Sequence, residues 1–328
     1  MRHNINLKIE VLTIFFISIL ITSCNFQSFS TDDSTLLKNY SDTVKSIAID
    51  SKGNIWLGSN SGGISKYKDK TLTVFDTKSG LISNYIKSIT LDNKDNVWAG
   101  TDKGICRFDG TTWKIYTTSD GLVSNQINEI AIDKQNNIWI ATTSGVSKFD
   151  GISWSNYTIS NGLSNNNVTS VCIDLNNNKW FGTWGGGVSV LNDTTWYSMT
   201  TVDGLSSNYI TKLAVSPTGK ILYGSDKDGM TACAFDSKGK GWLGGVNKGI
   251  ATINGNVITT YFMDYYLVQT YTATQINNIK HTINTGLSGN SIYDIKLDSH
   301  GNVWVGTESG ISMFDGTKWT SSFSVVYK

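Results

Sequence analysis

Beyond residue 40 the apolar and polar positions recur with a period of 41 to 42 residues. Each copy begins with a short apolar run, as in Ile47-Ala48-Ile49, Ile89-Thr90-Leu91, Ile130-Ala131-Ile132 and Val171-Cys172-Ile173. Asp50, Asp92, Asp133, Asp174, Asp236 and Asp298 end the run, and three residues later comes Gly53, Asp95, Asn136, Asn177, Gly219, Gly239 or Gly301. Gly, Asn and Asp tolerate the left-handed backbone that a tight hairpin needs. A tryptophan box then supplies a second strand, with Trp56, Trp98, Trp139, Trp180 and Trp304 in the pattern Asn-x-Trp-x-Gly-Thr or close to it. A glycine before Ile64, Ile105, Val146, Val188, Ile250 and Ile311 opens a third strand, which runs into Phe108-Asp109-Gly110 and its equivalents. Trp113, Trp154, Trp196 and Trp319 mark a fourth, and a Gly-Leu pair leads to the next copy.

Four antiparallel strands in about 41 residues make one propeller blade, and radial repetition leaves few exposed sheet edges. A blade covered on both faces by its neighbours explains strands that are apolar on both sides. The large aromatics would fill the wedge-shaped gaps between sheets. No helical periodicity appears after the N-terminal segment. The expected fold is therefore an all-β propeller of four-stranded blades. Seven blades are favoured, with six blades plus an excursion as the alternative. The phase is irregular at about 217–285. Leu222 stands where a box tryptophan is due, Trp242 follows only 20 residues later, and Trp304 after 62 more. Twenty residues cannot build four strands. Met230 to Asp236 would serve as one strand where two are expected, and Val257 to Ile283 would complete the short blade.

The N-terminus has a different pattern. Arg2 and Lys8 precede the apolar run Val11 to Ile21, and then comes Thr22-Ser23-Cys24. That run is too short for a spanning helix and fits the core of a secretory signal. Leu20-Ile21-Thr22-Ser23-Cys24 resembles a bacterial lipobox. The expected organisation is a lipoprotein signal peptide at 1–23, lipidation at Cys24, a polar tether at 24–40 and the propeller at 41–328. The protein would be exported and lipid-anchored to a bacterial membrane, on the periplasmic or surface side of the outer membrane.

Charge narrows the partners. The chain holds 27 Lys and Arg against 26 Asp and Glu, and only two of the cations are arginines. A balanced surface with almost no guanidinium forks gives no reason to bind nucleic acid. Cys106, Cys172 and Cys233 lie in strand patterns far apart and are expected to pack as buried thiols. No Cys/His spacing suggests a metal, and no cofactor motif is present. The repeated Asp residues resemble calcium ligands, but Asp92 to Lys103 lacks the glycine and the final carboxylate of an EF-hand loop. Those aspartates are read as turn residues bonding their own backbone. His300 lies in the same turn and is read as solvated. His281 has no repeat context.

Boxes such as Asp298-Ser299-His300-Gly301-Asn302-Val303-Trp304-Val305-Gly306-Thr307, with Gly310-Ile311 and Phe314-Asp315-Gly316, resemble the two-component regulator propeller repeat. The linkers Gly80 to Asn84, Gly121 to Asn125 and Gly204 to Asn208 strengthen the resemblance, which covers residues from about 41 onward. It implies the extracytoplasmic sensing portion of a hybrid histidine kinase or a standalone exported propeller. Since the sequence ends nine residues after Trp319, a standalone propeller is expected, without immunoglobulin-like domain, transmembrane helix or kinase. Whether a separate kinase receives its signal is open.

Repeats also separate scaffold from variable positions. Strand direction puts the linker and the loop between strands two and three on one face. The linker varies as Tyr85, Gln126, Asn167, Tyr209 and Ser291, and the start of the first strand, expected to line the central channel, as Lys45, Lys87, Asn128, Thr169, Thr211 and Tyr293. The second-to-third loop varies as Asp102, Ser144, Trp184, Asp226, Asn247 and Glu308. Of eleven tryptophans only Trp184 is outside the repeat positions. The candidate ligand-binding residues are Trp184, Tyr85, Gln126, Asn167, Tyr209, Tyr293, Lys45, Lys87, Asn128, Asp102, Asp226 and Glu308. An aromatic, amide-rich face of this kind suits a neutral polyhydroxylated or peptide ligand. The function read from this is non-catalytic recognition of a small molecule, glycan, peptide or another envelope protein. A propeller-type lyase and a structural subunit of an envelope or secretion assembly are the alternatives.

Overall fold

A computed structural model describes residues 42–321 except 69–70, 220, 227–228, 237, 247–248, 255–256, 263–277 and 284–286; at Gly249 and along 251–254, 257–262 and 278–283 it describes the backbone only. The signal sequence, the lipobox cysteine and the tether lie outside the described residues, as does the side chain of His281.

Seven sheets follow one another along the chain. Blade 1 comprises Val44–Ile49, Ile55–Ser59, Ile64–Lys68 and Thr71–Phe75. Blades 2, 3 and 4 repeat this order with inner strands Ile86–Leu91, Ile127–Ile132 and Val168–Ile173, and blade 7 does so from Ile292–Leu297 to Trp319–Ser321. Blade 5 has two strands, Ile210–Val215 and Ile221–Ser225. Blade 6 has five, starting with Met230–Phe235. The expectation for the irregular region is corrected here. Met230–Phe235 is the inner strand of the next blade, with the same bulged pairing as the other inner strands. Val257–Phe262 is the fourth strand of blade 6, and Asn278–Ile283 adds a fifth, parallel to it. The surplus segment thus widens blade 6 and leaves blade 5 short.

One carboxylate organises each regular blade. Asp133 Oδ1 accepts the backbone N–H groups of Gln135 and Asn137, which fixes the hairpin. Its Oδ2 accepts the Asn137 side chain and, at 2.9 Å, Trp139 Nε1. Asp50, Asp92, Asp174 and Asp298 make the same bond to Trp56, Trp98, Trp180 and Trp304 at 3.0–3.1 Å. The third residue after each Asp has positive φ, from +59° at Asp95 to +84° at Gly301, as the sequence pattern requires. In blade 5 both partners are gone together: Ser216 stands for the Asp and Leu222 for the Trp.

Burial opposes the charge of these carboxylates, yet the hydrogen bonds outweigh it and hold Asp50, Asp92, Asp133 and Asp174 below the ordinary value of 3.8. The clamped tryptophans carry the packing between sheets. Trp98 stacks on Tyr116 at 5.8 Å and tilts against Phe149 of the next blade at 6.0 Å; Trp139 does the same with Tyr157 and Phe181.

Blades also meet through a glycine in the second strand. A Cβ at Gly100 would lie 2.5 Å from Ile127 Cγ2 of the following blade, and Gly58, Gly182 and Gly244 face Ile86, Ile210 and Ile292 in the same way. Blade 3 has Ala141 at this position, and it faces the smaller Val168. Among the described residues the first and last blades share no strand, and they meet through side-chain packing and hydrogen bonds. Val44, Ile47, Leu57 and Tyr67 pack on Trp304, Ile311 and Met313. Thr43 Oγ1 donates to the Glu308 carbonyl at 2.9 Å, and Ile47 N to Asp294 Oδ2 at 2.8 Å.

Gly100→Ala is expected to destabilise the fold by about 1–3 kcal/mol through overpacking. Adding Ile127→Val should return most of the loss, because it recreates the Ala141–Val168 pairing; equilibrium unfolding of the four species of that double-mutant cycle measures the coupling. The depressed carboxylates contribute stability that is complete above their unfolded pKa and drains as pH falls through their lower folded values. Asp133→Asn should therefore flatten the loss of melting temperature below about pH 4. An unchanged acid limb would show that the clamp carries no linkage.

Candidate ligand-binding face and channel mouth

Six of the seven blades join the loop between strands two and three to the linker that precedes it by a backbone hydrogen bond. Trp184 N donates to the Asn167 carbonyl at 2.9 Å, Asp226 N to Tyr209 at 3.1 Å and Glu308 N to Ser291 at 3.2 Å. Thr143 pairs with Gln126, Asn60 with Thr43 and Val246 with Gly229 in the same way. The two variable series therefore lie side by side on one face. The backbone bonds also set the register: Thr143 and Val246, not Ser144 and Asn247, are the equivalents of Trp184. Val246, four residues after Trp242 as Trp184 is after Trp180, is exposed.

Trp184 and Tyr209 form an exposed aromatic pair on this face. Their rings meet edge to face at 5.2 Å and 73°, and they remain 46% and 44% accessible. Three glycines fix the loop. Gly185 and Gly187 have φ of +103° and +76°, and a Cβ at Gly186 would lie 2.8 Å from Asn165 Cβ. Gly185 and Gly187 both donate to the Asn208 carbonyl, at 3.0 and 2.9 Å. Trp184 thus stands on a braced loop, with its ring against Tyr209 of the linker that leads into blade 5.

The second set of candidates lines the axis. Every inner strand skips one residue in its pairing, and the skipped residues are Lys45, Lys87, Asn128, Thr169, Thr211, Thr231 and Tyr293. A bulge re-aims the side chain it extrudes. Here all seven line a cavity of about 220 Å³. Thr231 is absent from the sequence-derived series because its strand was assigned to the short blade. One residue deeper lies a ring of bonds between blades. Ser46 accepts Ile89 N at 2.8 Å, Ser88 accepts Ile130 N at 3.1 Å, Glu129 accepts Val171 N at 3.0 Å and Ser170 accepts Leu213 N at 3.0 Å. Lys212 and Ala232, which occupy this position in blades 5 and 6, have no acceptor to offer. Lys212 instead ion-pairs with Glu129. Desolvation opposes the Lys212 charge, but Glu129 and Asp294 raise its pKa. Lys296 pairs with Asp294 at 3.0 Å.

The remaining candidates divide by what already holds them. Glu308 accepts Asn290 N at 2.9 Å and Ser291 N at 2.8 Å, and Asp226 accepts Ser207 Oγ at 2.6 Å. These two carboxylates brace their own linkers. Gln126 is exposed but gives its amide to the Asp102 carbonyl at 2.6 Å. Asn167 is half-buried beside Trp184. Tyr85 is half-buried and close enough to Tyr293 that, after burial and Glu308, it helps to raise the Tyr293 pKa. Asp102 lies within electrostatic reach of Lys87, and its buried Oδ1 has no hydrogen-bond partner.

At the turn-side end of the inner strands a cavity of about 560 Å³ is lined by Ile132, Ile173, Leu175, Pro217, Cys233 and Phe235, and none of the candidate residues lies in its wall. The His300 side chain is 74% exposed, and its backbone N–H donates to Asp298 at 2.9 Å, as the turn pattern requires. Among the described residues no group of His, Cys, Asp or Glu could hold a metal ion. The three cysteines are free. Burial pushes the Cys106 thiol up to about 11 and that of Cys233 to about 12, far from a reactive thiolate. Among the described residues no helix is long and apolar enough to cross a membrane.

Residues 41–61, 80–103, 112–144 and 286–309 match the two component regulator propeller family. No curated protein matches the chain in sequence. Among solved structures, the extracellular domain of BT3049 from B. thetaiotaomicron, described as a hybrid two component system, superposes with a TM-score of 0.67 at 22% identity. The match covers 84% of this chain and 39% of that one. The extracellular domain of BT4673, described as a one component system from the same organism, gives 0.64 at 19% identity, over 83% and 38%. This chain thus spans about two fifths of the length of either. Virginiamycin B lyase from Staphylococcus aureus gives 0.58 at 15% identity, over 84% and 94%. At these identities the likenesses establish the propeller fold.

Lys45 and Lys87 are held below their ordinary value of 10.5 by desolvation, which exceeds the opposing pull of Glu308 and Asp102. Below their folded pKa these charges destabilise the native state, so their effect on stability should diminish as pH rises towards 10.5. The stability difference between wild type and a Lys45→Met/Lys87→Met variant should therefore shrink as pH rises towards 10.5. A pH-independent difference in thermal melts would contradict the assignment.

Proposed function

We propose that this chain, a two-component regulator propeller, is an exported, non-catalytic recognition module that binds its ligand or partner on the linker-side face and is held to the membrane by a lipid on Cys24. The observation that carries the reading is the Trp184–Tyr209 pair. Ten of eleven tryptophans serve the repeat. The eleventh is half-exposed on a loop whose glycines and backbone bonds keep it presented. An exposed ring held rigidly is suited to stacking on a sugar or anchoring a peptide, since little rotamer entropy remains to be lost on binding. The match to a family of signalling propellers supports recognition over turnover.

The test separates binding from packing. Trp184→Ala should weaken binding to a panel of envelope glycans and peptides about tenfold or more, with the melting temperature nearly unchanged, because stacking contributes about 0.5–1.5 kcal/mol beyond buried area. Trp139→Ala, at a clamped position, should lower stability by about 3–5 kcal/mol. Equal destabilisation by the two would remove the site. For the anchor, Cys24→Ser should move the protein from the membrane fraction to the soluble one, since a single processed cysteine is the proposed attachment.

A further inference from the structure

Four of the seven bulged residues close the channel mouth by one device, and three do not. Asn128 Nδ2, Thr169 Oγ1, Thr211 Oγ1 and Thr231 Oγ1 each donate to the carbonyl that starts the next inner strand, at 2.8 Å to Val168, 2.7 Å to Ile210, 2.7 Å to Met230 and at close range to Ile292. Blades 7, 1 and 2 carry Tyr293, Lys45 and Lys87 instead. Lys45 Nζ lies 3.3 Å above the centre of the Tyr293 ring, and Lys87 Nζ donates to Asn128 Oδ1 at 3.2 Å. Among the described residues neither ammonium has a carboxylate within the 4.0 Å of an ion pair. Glu308, the acid nearest Lys45 in effect, already spends both oxygens on backbone N–H groups.

Two half-buried ammonium groups on adjacent inner strands, both outside an ion pair although Asp102 lies within electrostatic reach of Lys87, are costly to hold. A carboxylate placed between them would restore the missing charge and accept charge-assisted hydrogen bonds from both. The cavity of about 220 Å³ equals about seven waters at about 30 Å³ each, which exceeds a simple inorganic ion. Tyr293 borders it with its ring.

We propose that the channel mouth between blades 7, 1 and 2 is a binding site for a small organic carboxylate, its anionic group held by Lys45 and Lys87. This rests on the reading of the linker-side face as the recognition face, and it replaces the expectation of a purely neutral ligand. The other bulged positions are polar and uncharged, and the charges one layer deeper in the same cavity are already paired, Lys212 with Glu129 and Lys296 with Asp294.

The test is calorimetric titration of the full chain at low salt with D-glucuronate, D-galacturonate, succinate and L-glutamate. D-Glucose and inorganic phosphate serve as controls. At least one carboxylate should bind ten times more tightly than glucose and phosphate, and should weaken as salt is raised. Lys45→Met and Lys87→Met should each lose that binding at least tenfold while melting no lower than wild type, since each removes an unpaired half-buried charge. His300→Asn, an exposed turn residue away from the cavity, should leave it unchanged. The proposal falls if no carboxylate exceeds glucose, if phosphate binds as well, or if both lysine variants bind normally. Carboxylate failure alongside Trp184-dependent glycan or peptide binding overturns this site alone. Carboxylate binding with no Trp184-dependent ligand leaves this site standing and removes the aromatic one.

Discussion

The Asp–Trp hydrogen bond ties local geometry to global packing in this propeller. One carboxylate oxygen sets the hairpin between the first two strands, and the other fixes the indole that fills the gap to the next sheet. A turn and an interface are therefore decided by the same side chain. The aspartate can do this because it offers two acceptors in one plane, and a buried carboxylate holding several N–H donors is stabilised as the anion. Blade 5 shows the dependence from the other side. Where Ser216 and Leu222 replace the pair, the blade stops after its second strand.

On that fixed frame the seven bulges do a separate job. Each extrudes one residue from the inner strand, so its identity can change without altering the ladder on either side. The residues found there range from threonine to lysine to tyrosine. The layer beneath is more constrained, because its side chains must accept an N–H from the neighbouring blade. Serine, glutamate and aspartate fill it where that bond is made. Within the inner strands, variation is thus concentrated at the position facing the axis, and specificity can be rewritten there without touching the core.

Much of this was legible in the chain itself. The Asp, the left-handed residue and the Trp recur at fixed offsets, and the structure uses each as the offsets imply. The channel series was legible too, because strand direction and repeat phase are enough to place it. What escaped was Thr231 and the role of Met230–Phe235. Two missing strands and one surplus strand nearly cancel in length, so counting residues could not say which blade had lost them. The charge state of the mouth escaped as well. Net charge was balanced along the chain, and only the fold shows that Glu308 is engaged elsewhere while Lys45 and Lys87 stand together.

Among the described residues each sheet is built from consecutive strands, inner strand first, and the first and last sheets share no strand. For the gene this means that a repeat is a self-contained module. An in-frame duplication or loss of some 120 nucleotides inserts or removes a whole sheet and leaves all other pairings in register. Unequal crossing-over between such similar segments is then a source of new propellers rather than of misfolded ones. A blade reduced to two strands, followed by one enlarged to five, has the form that such an exchange would leave when its breakpoints miss the linkers.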